Sequence, residues 1–342
     1  MFQVVGRPTS TRHGKNAVKL GRFLSFVLAG LLAATSAARS QDYPVRPVTL
    51  IVPFAPGGSV DIVARILGRK LTERLGTPII IENRAGGGTT VGASAVAKAA
   101  PDGYTLMSAP CGTLANNPTI YKRLPYDPIR DFAHVALIIT VPLILVVNPS
   151  LPVHSVPDLI KLAKDRPDHL SYASSGMGSS LHLAGELLKS LTAIEMTHVP
   201  YKGGAPAMND VVAGHVPLMF ADSGVALPQI REGKVRALGM SSKARIMAAP
   251  DIPPIAEAGV PGFDAACWQM IVAPAATPQE IVDKLHGEFA AIMALPDIRH
   301  RIEKVGLIPV VSPRPEELRR LVEAEIVRWS KVVHRAGIAG SE

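Results

Sequence analysis

The chain has 342 residues, 47% hydrophobic and 19% charged, enough apolar material for two packed domains and too much for a disordered chain. Its formal net charge of +8 sits at one end. Residues 1–40 hold six basic side chains (Arg7, Arg12, Lys15, Lys19, Arg22, Arg39) and no acidic one, leaving 30 basic against 28 acidic in the rest. A near-neutral body lacks the basic footprint that nucleic acid requires, so nucleic acid is excluded as the partner.

The basic start is followed by an apolar run, Phe23 to Ala34, too short to span a bilayer comfortably, and then by the small residues "TSAARS". This pattern predicts a signal peptide over 1–40, cleaved after Ala38 or Ser40, and a soluble periplasmic product. Two cysteines remain, Cys111 and Cys267. An oxidising compartment permits a bridge between them, but spacing alone does not establish one, and separate buried thiols are the simpler expectation.

Beyond the leader, strand and helix patterns alternate. "VTLIVPF" (Val48–Phe54) is a short, β-branched apolar run of the kind that buried parallel strands show. From Ser59 to Leu75, Ile62, Val63, Ile66, Leu67, Leu71 and Leu75 fall at helical spacing, and "GTP" supplies the stop. "PIIIEN" predicts the next strand, "TTVGASAVAKAA" a helix, and "YTLMSA" a third strand after the turn "PDG". This βαβαβ order implies parallel strands and right-handed crossovers.

Phe132–Val147 is long, extended and interrupted by Pro142, as expected of a chain leaving one domain for another. A second alternating set follows, from "SVPDLIKLAKDRP" to the strand "VRALGMSS", before another extended stretch, Asp264–Pro274, carries the chain back. The remainder reads as helical apart from "LIPVV" (Leu307–Val311) and ends in an amphipathic helix over Pro315–Ala336. The expected architecture is α/β with two lobes, each a mainly parallel sheet flanked by helices. Lobe 1 takes 41–142 and 269–342, lobe 2 takes 143–268, and a ligand is held in the cleft of a hinged molecule.

Three segments share one design, in which a strand ends, glycine and serine or threonine follow, and a helix begins: "PFAPGGSVD", "ENRAGGGTTVGA" and "YASSGMGSSLHLAGE". The open end of a helix presents unpaired N–H groups and partial positive charge, and glycine lets a ligand approach the backbone. An anion is held there without arginine. Candidate ligand contacts are accordingly Pro56, Gly57, Gly58, Ser59 and Asp61 in the first segment, and Gly87, Gly88 and Thr89 in the second. The third supplies Ser174, Ser175, Gly176, Gly178, Ser179 and His182. Thr113, in "SAPCGTLANNP", and Tyr201, Lys202 and Gly203, in "HVPYKGGAPA", are further candidates. Asp222 follows "LMFA" either to accept from a ligand hydroxyl or ammonium or to cap the next helix. Taken one at a time, these stretches serve equally as ordinary turns and caps.

Enzyme motifs are missing. "GGGTTVG" departs from G-x-G-x-x-G, and Ser179 with His182 lies outside any G-x-S-x-G elbow. The histidines show no H-E-x-x-H spacing, so neither metal nor cofactor is expected. A secreted hydrolase using Ser179 or Ser59 with His182 as base is the rival from another class.

"YPVRPVTLIVPFAPGGSVDIVAR", "PDGYTLM", "SYASSGMGSSLHLAGELLKS", "THVPYKGGAPAMNDVVAGHVPLMF" and "DIPPIAEAGVPGF" resemble the Bug (TctC-like) receptors. These are extracytoplasmic solute-binding proteins of tripartite tricarboxylate transporters. The resemblance covers Tyr43 to Ile338. It implies a two-lobed periplasmic-binding-protein fold of the twice-crossed type II kind, a monomer, a small carboxylate ligand (di- or tricarboxylate, acidic amino acid or aromatic acid), and large and small membrane subunits as partners. It also implies that loop amides, hydroxyls and waters hold the ligand carboxylate. The second loop departs from the family pattern, with "NRAGGGTT" where proline would follow the arginine, and Cys111 and Gly112 stand where polar side chains commonly face the cleft. Signalling to a membrane sensor with the same fold is the alternative to uptake.

Overall fold

The computed structural model describes residues 1–7, 43–166, 170–243 and 245–342. The apolar run of the expected signal peptide lies outside the described residues. Arg46–Glu342 forms one compact unit; Met1–Val45 separates from it, and its described residues carry neither helix nor strand. Among the described residues no helix is long and apolar enough to cross a membrane.

The first half of the unit is built from β1 (Val48–Val52), α1 (Ser59–Leu75), β2 (Ile79–Asn83), α2 (Thr90–Ala97), β3 (Thr105–Pro110), the four-residue α3 (Asn117–Ile120) and β4 (Phe132–Val141). The second continues through β5 (Leu143–Val147), α4 (Val156–Asp165), β6 (Ser171–Ser174), α5 (Ser180–Thr192), β7 (Thr197–Pro200), α6 (Gly204–Ala213), β8 (Leu218–Asp222), α7 (Ser223–Arg231) and β9 (Arg236–Met240). The chain then returns to the first sheet through β10 (Cys267–Pro274), followed by α8 (Gln279–Met293), α9 (Pro296–Lys304), β11 (Ile308–Pro309) and α10 (Pro315–Arg335). The strand expected over Leu307–Val311 is thus reduced to two residues.

One sheet has the order β11-β4-β10-β3-β1-β2 and the other β7-β6-β8-β5-β9. The βαβ units pair in parallel, as their helical crossovers require: β1 with β2 and β3, and β6 with β7 and β8. The strands that carry the chain between sheets run the other way. β10 is antiparallel to β3 and β4, and β5 to β8 and β9, so each sheet is mixed rather than mainly parallel. Pro142 separates β4 from β5; lacking an N–H, it ends the ladder there, although its carbonyl accepts from Ser223 N–H at 3.0 Å. β5 and β10 are buried along their whole length, which is why β5 reads as an unbroken apolar run and β10 as one interrupted only by Gln269.

Behind the second sheet's Gly/Ser loop lies a buried polar cluster that fixes its position. His182 on α5 stacks on His198 of β7 with ring centroids 3.9 Å apart. His182 Nδ1 accepts from Gly178 N–H at 3.2 Å, and Ser174 Oγ meets His198 Nε2 at 2.6 Å. Tyr172 OH donates to Glu186 Oε1 at 2.6 Å, where Lys189 Nζ also arrives at 3.1 Å. Gly185 lies flat against the Tyr172 ring, and a Cβ there would overlap ring carbons. Burial first, then the neighbouring His198 and Lys189, lowers the His182 pKa to about 2; burial and Lys189 lower that of His198 to about 4.

Two stability predictions follow from this cluster. Gly185→Ala gains helix propensity but forces the ring aside; a net loss of about 1–3 kcal/mol is expected, read as a lower urea midpoint. Both histidines are neutral when folded and titrate near their ordinary 6.5 when unfolded. As pH falls below about 6.5 the unfolded chain takes up protons that the folded one refuses, so stability drops by up to about 1.4 kcal/mol per pH unit for each histidine. The loss from His198 levels off below its folded value of about 4. Urea midpoints measured between about pH 7 and pH 5 should fall less steeply in His198→Gln than in the parent.

Candidate functional site

A narrow, partly enclosed cavity of about 20 Å³ lies between the two halves, at the ends of their strands. Phe54, Gly58, Ser59 and Val60 follow β1; Thr89 precedes α2; Pro110 ends β3 and Gly112 follows it. Val141, Cys267 and Gln269 come from the crossing strands. The other half contributes Ser175, Ser179, Ser180, Leu181, Gly204 and Asp222. No arginine, lysine or histidine is among these lining residues.

The starts of four helices meet there. Gly58, extended at φ −81°, ψ 169°, begins α1 without a capping side chain. The first bond of that helix runs from Ile62 N–H to Gly58 O, leaving the N–H groups of Ser59, Val60 and Asp61 without an intrahelical acceptor. α5 starts at Ser179, whose Oγ accepts from His182 N–H at 3.2 Å, so the N–H groups of Ser180 and Leu181 also lack an intrahelical acceptor. α6 begins at Gly204 after an uncapped Gly203, and α7 begins after Asp222. Partial positive charge from both halves is therefore aimed at one volume.

Three side chains complete the wall. Gln269, a polar residue inside the apolar strand "CWQMIVAP", is 1% exposed, and neither amide atom has a hydrogen-bond partner. Asp222 has no cation beside it, and burial raises its carboxyl to about 6. Ser59 Oγ comes near enough to lower that value slightly without the geometry of a full hydrogen bond, and is otherwise unpaired. Such buried, unanswered polar atoms are uncommon in packed interiors and mark where a ligand or water completes the bonding.

Of the residues singled out from sequence, Gly58, Ser59, Thr89, Ser175, Ser179 and Asp222 line the cavity. Others brace it. Asp61 accepts from Gly57 N–H, Arg65 and Asn83; burial alone would raise its carboxyl, but these bonds hold it below the usual range. Pro56 and Gly57 are exposed on the outer side of that loop. Thr113 Oγ1 donates to Oγ1 of the lining residue Thr89 at 2.7 Å, so it stands one layer behind the wall. Tyr201 OH is held by Asp210 Oδ2 at 2.6 Å, and Lys202 is exposed, with only its carbonyl used, accepting from Ala55 N–H at 3.0 Å. Ser174 and His182 belong to the buried cluster behind the loop.

The glycines do a different job from the one expected. Gly88 sits against the Met177 carbonyl and Tyr121 OH, and at φ +55° it admits no side chain. Gly176 (φ +124°) lies against Gly88 Cα, and Gly203 (φ +146°) against Ala55 N. Gly178 and Gly112 meet across the cleft, where Asn116 Nδ2 donates to Gly178 O at 2.8 Å. Within the first half, Tyr121 OH donates to Gly87 O at 2.8 Å. At Gly88, Gly176, Gly178 and Gly203 the backbones of the two halves pack closely, and Gly112 does the same while also lining the cavity.

Sequence reasoning missed Gln269, Gly112, Pro110, Val141, Cys267, Phe54, Val60, Ser180, Leu181 and Gly204 as lining residues. Only Gln269 carried a signal, as the lone polar residue of a wholly buried strand. Cys111 and Cys267 are both buried free thiols. Burial pushes the Cys111 thiol well up, and the neighbouring Cys267 adds to the rise. Among the described residues no group of histidine, cysteine or carboxylate side chains is placed to hold a metal ion.

The chain as a whole has close counterparts among known proteins. The family model for the tripartite tricarboxylate transporter family receptor matches residues 63–338. BugT of Bordetella pertussis is 37% identical over 310 residues, covering 90% of this chain and 94% of its own. Rpa4515 of R. palustris, whose structure is described with adipate, is 41% identical, with a TM-score of 0.84 over 87% of this chain and 99% of its own. MatC of Rhodopseudomonas palustris, described with bound malate, is 38% identical, with a TM-score of 0.80 over 85% of this chain and 100% of its own. The two-lobed fold of those receptors is the fold found here, and this chain belongs to the tripartite tricarboxylate transporter receptor family.

Proposed function

We propose that this receptor captures a small carboxylate in the cavity between its halves and delivers it to the membrane subunits of a tripartite transporter. The observation that carries the reading is the meeting of helix starts from both halves on a cavity whose lining holds no cationic side chain. Each such contact contributes about 0.3–1 kcal/mol when exposed and up to about 2 when partly buried. Several acting together, with Ser59, Ser179 and Gln269 as hydrogen-bond partners, are needed for micromolar binding, about −8 kcal/mol. Bridging waters complete such contacts without weakening them.

The halves act as lobes, 41–142 with 269–342 and 143–268, hinged where β4 passes into β5 and where the chain returns through β10. Ligand contacts to both lobes favour the closed form over the open one, and closure presents the surface that a membrane partner reads. The relatives' carboxylate ligands and the leader-like start of the sequence support a periplasmic site of action. Binding is non-covalent. Ser179 Oγ is engaged as a helix cap, and His182 Nδ1 already accepts from Gly178 N–H, so the pair is not arranged as nucleophile and base.

Calorimetry of ligand-stripped protein against a carboxylate panel that includes adipate and malate should show heat with at least one member; silence across the panel would remove the reading. Gly58 gives the sharpest mutational test, since its backbone is extended and a Cβ there meets nothing within 4 Å. Gly58→Val should therefore leave the melting temperature nearly unchanged while weakening binding at least about tenfold by filling the approach to the α1 N–H groups. Ser179→Ala should weaken binding less and cost about 0.5–2 kcal/mol of stability through the lost cap. Full affinity in both variants would move the ligand elsewhere.

A further inference from the structure

The carboxylate reading leaves Asp222 unexplained, because a receptor for anions has placed an acid in its own binding wall. No cationic side chain stands beside that acid. It ends β8 and precedes α7, and the side chains that share the cavity with it are hydroxyls, apolar groups, the Cys267 thiol and the Gln269 amide. Asp61 of α1, an acid on a neighbouring element, is already engaged by Arg65 and Asn83. Ser59, 1% exposed with an unpaired Oγ, and Gln269, 1% exposed with an unpaired amide, stand on the same wall. The wall thus holds two kinds of group: N–H donors at helix starts, and a carboxylate acceptor with an amide that both donates and accepts.

We infer that Asp222 reads the second functional group of the ligand: the receptor selects a monocarboxylate whose far end donates a hydrogen bond, an ammonium or a hydroxyl, over the dicarboxylate of the same length. The inference rests on the carboxylate reading above and narrows it. A partly buried carboxylate without a cationic side chain beside it is unfavourable, and a ligand ammonium or hydroxyl supplies a partner, whereas a second ligand carboxylate would set like charges together in the cavity. Burial raises the Asp222 carboxyl only to about 6, which leaves it ionised at neutral pH and able to accept. Gln269 fits the same arrangement, since its unpaired amide can accept from a ligand donor and donate to a carboxylate or a bridging water.

The test uses matched ligands that differ only at the far end: 6-aminohexanoate, 6-hydroxyhexanoate, adipate and hexanoate, with the four-carbon set 4-aminobutanoate, 4-hydroxybutanoate, succinate and butanoate beside it. Affinities are measured by calorimetry at about pH 7.5 on the ligand-stripped parent and on Asp222→Asn, a substitution that keeps the size of the side chain and its capping ability. In the parent, the amino or hydroxy member of at least one set should bind about tenfold or more tightly than its dicarboxylate. In Asp222→Asn that preference should shrink or reverse, because the amide donates to a carboxylate as readily as it accepts. The melting temperature of each protein checks that the fold is intact, and Asp222→Ser serves if Asn fails to fold. Dicarboxylates binding as tightly as their amino and hydroxy counterparts, with a ratio unmoved in the variant, would overturn the role of Asp222 and leave carboxylate capture standing. No heat from any member of either set, together with silence across the wider panel, would overturn carboxylate capture itself and this inference with it.

Discussion

Helix starts can hold an anion together only if they converge, and convergence here depends on main chain meeting main chain across the cleft. Gly88 lies against the Met177 carbonyl, Gly112 against Gly178, and Gly203 against Ala55. A side chain at any of these points would hold the halves apart and pull α1 and α5 away from their shared cavity. Gly88 and Gly203 therefore contribute to the site without lining it, and Gly112 does both. The binding surface is what remains once they have let the backbones approach.

The second consequence is electrostatic. With no arginine or lysine in the wall, attraction for an anion comes from fixed dipoles, which need no counter-ion when the cavity is empty and no side-chain reordering when it is filled. Such a wall is also indifferent to which carboxylate it holds. Discrimination must come from the remaining polar groups, and three of them, Ser59, Gln269 and Asp222, have bonding capacity that the protein leaves unused. General affinity and specificity are thereby divided between backbone and side chains.

The cluster behind the second loop shows what holds a donor wall steady. His182, His198, Ser174 and Tyr172 are spent on one another and on the loop, with His182 accepting from Gly178 N–H and Ser174 from Gly176 N–H. Their burial keeps the imidazoles neutral, so the loop is supported by acceptors rather than by charge. A histidine one turn from a serine, which in sequence invites a catalytic reading, is here a brace.

By itself, the sequence determined the alternation of strand and helix, the two long crossings, and the loop-to-helix junctions at Gly58 and Ser179, because each is written in local periodicity and in residues whose backbone preferences are local. The family motifs added the type of fold. Tertiary structure decided which of the many Gly and Ser residues face the cavity. It set Gly88, Gly176 and Gly178 at contacts between the halves, tied Thr113 to the lining residue Thr89 and Tyr201 to Asp210, and brought Gln269, 211 positions after Gly58, into the same cavity wall. It also made both sheets mixed, since the direction of a returning strand depends on where the chain crosses rather than on the strand's own residues. The pattern of a segment reports which face is buried; what lies against that face is fixed only when distant segments pack.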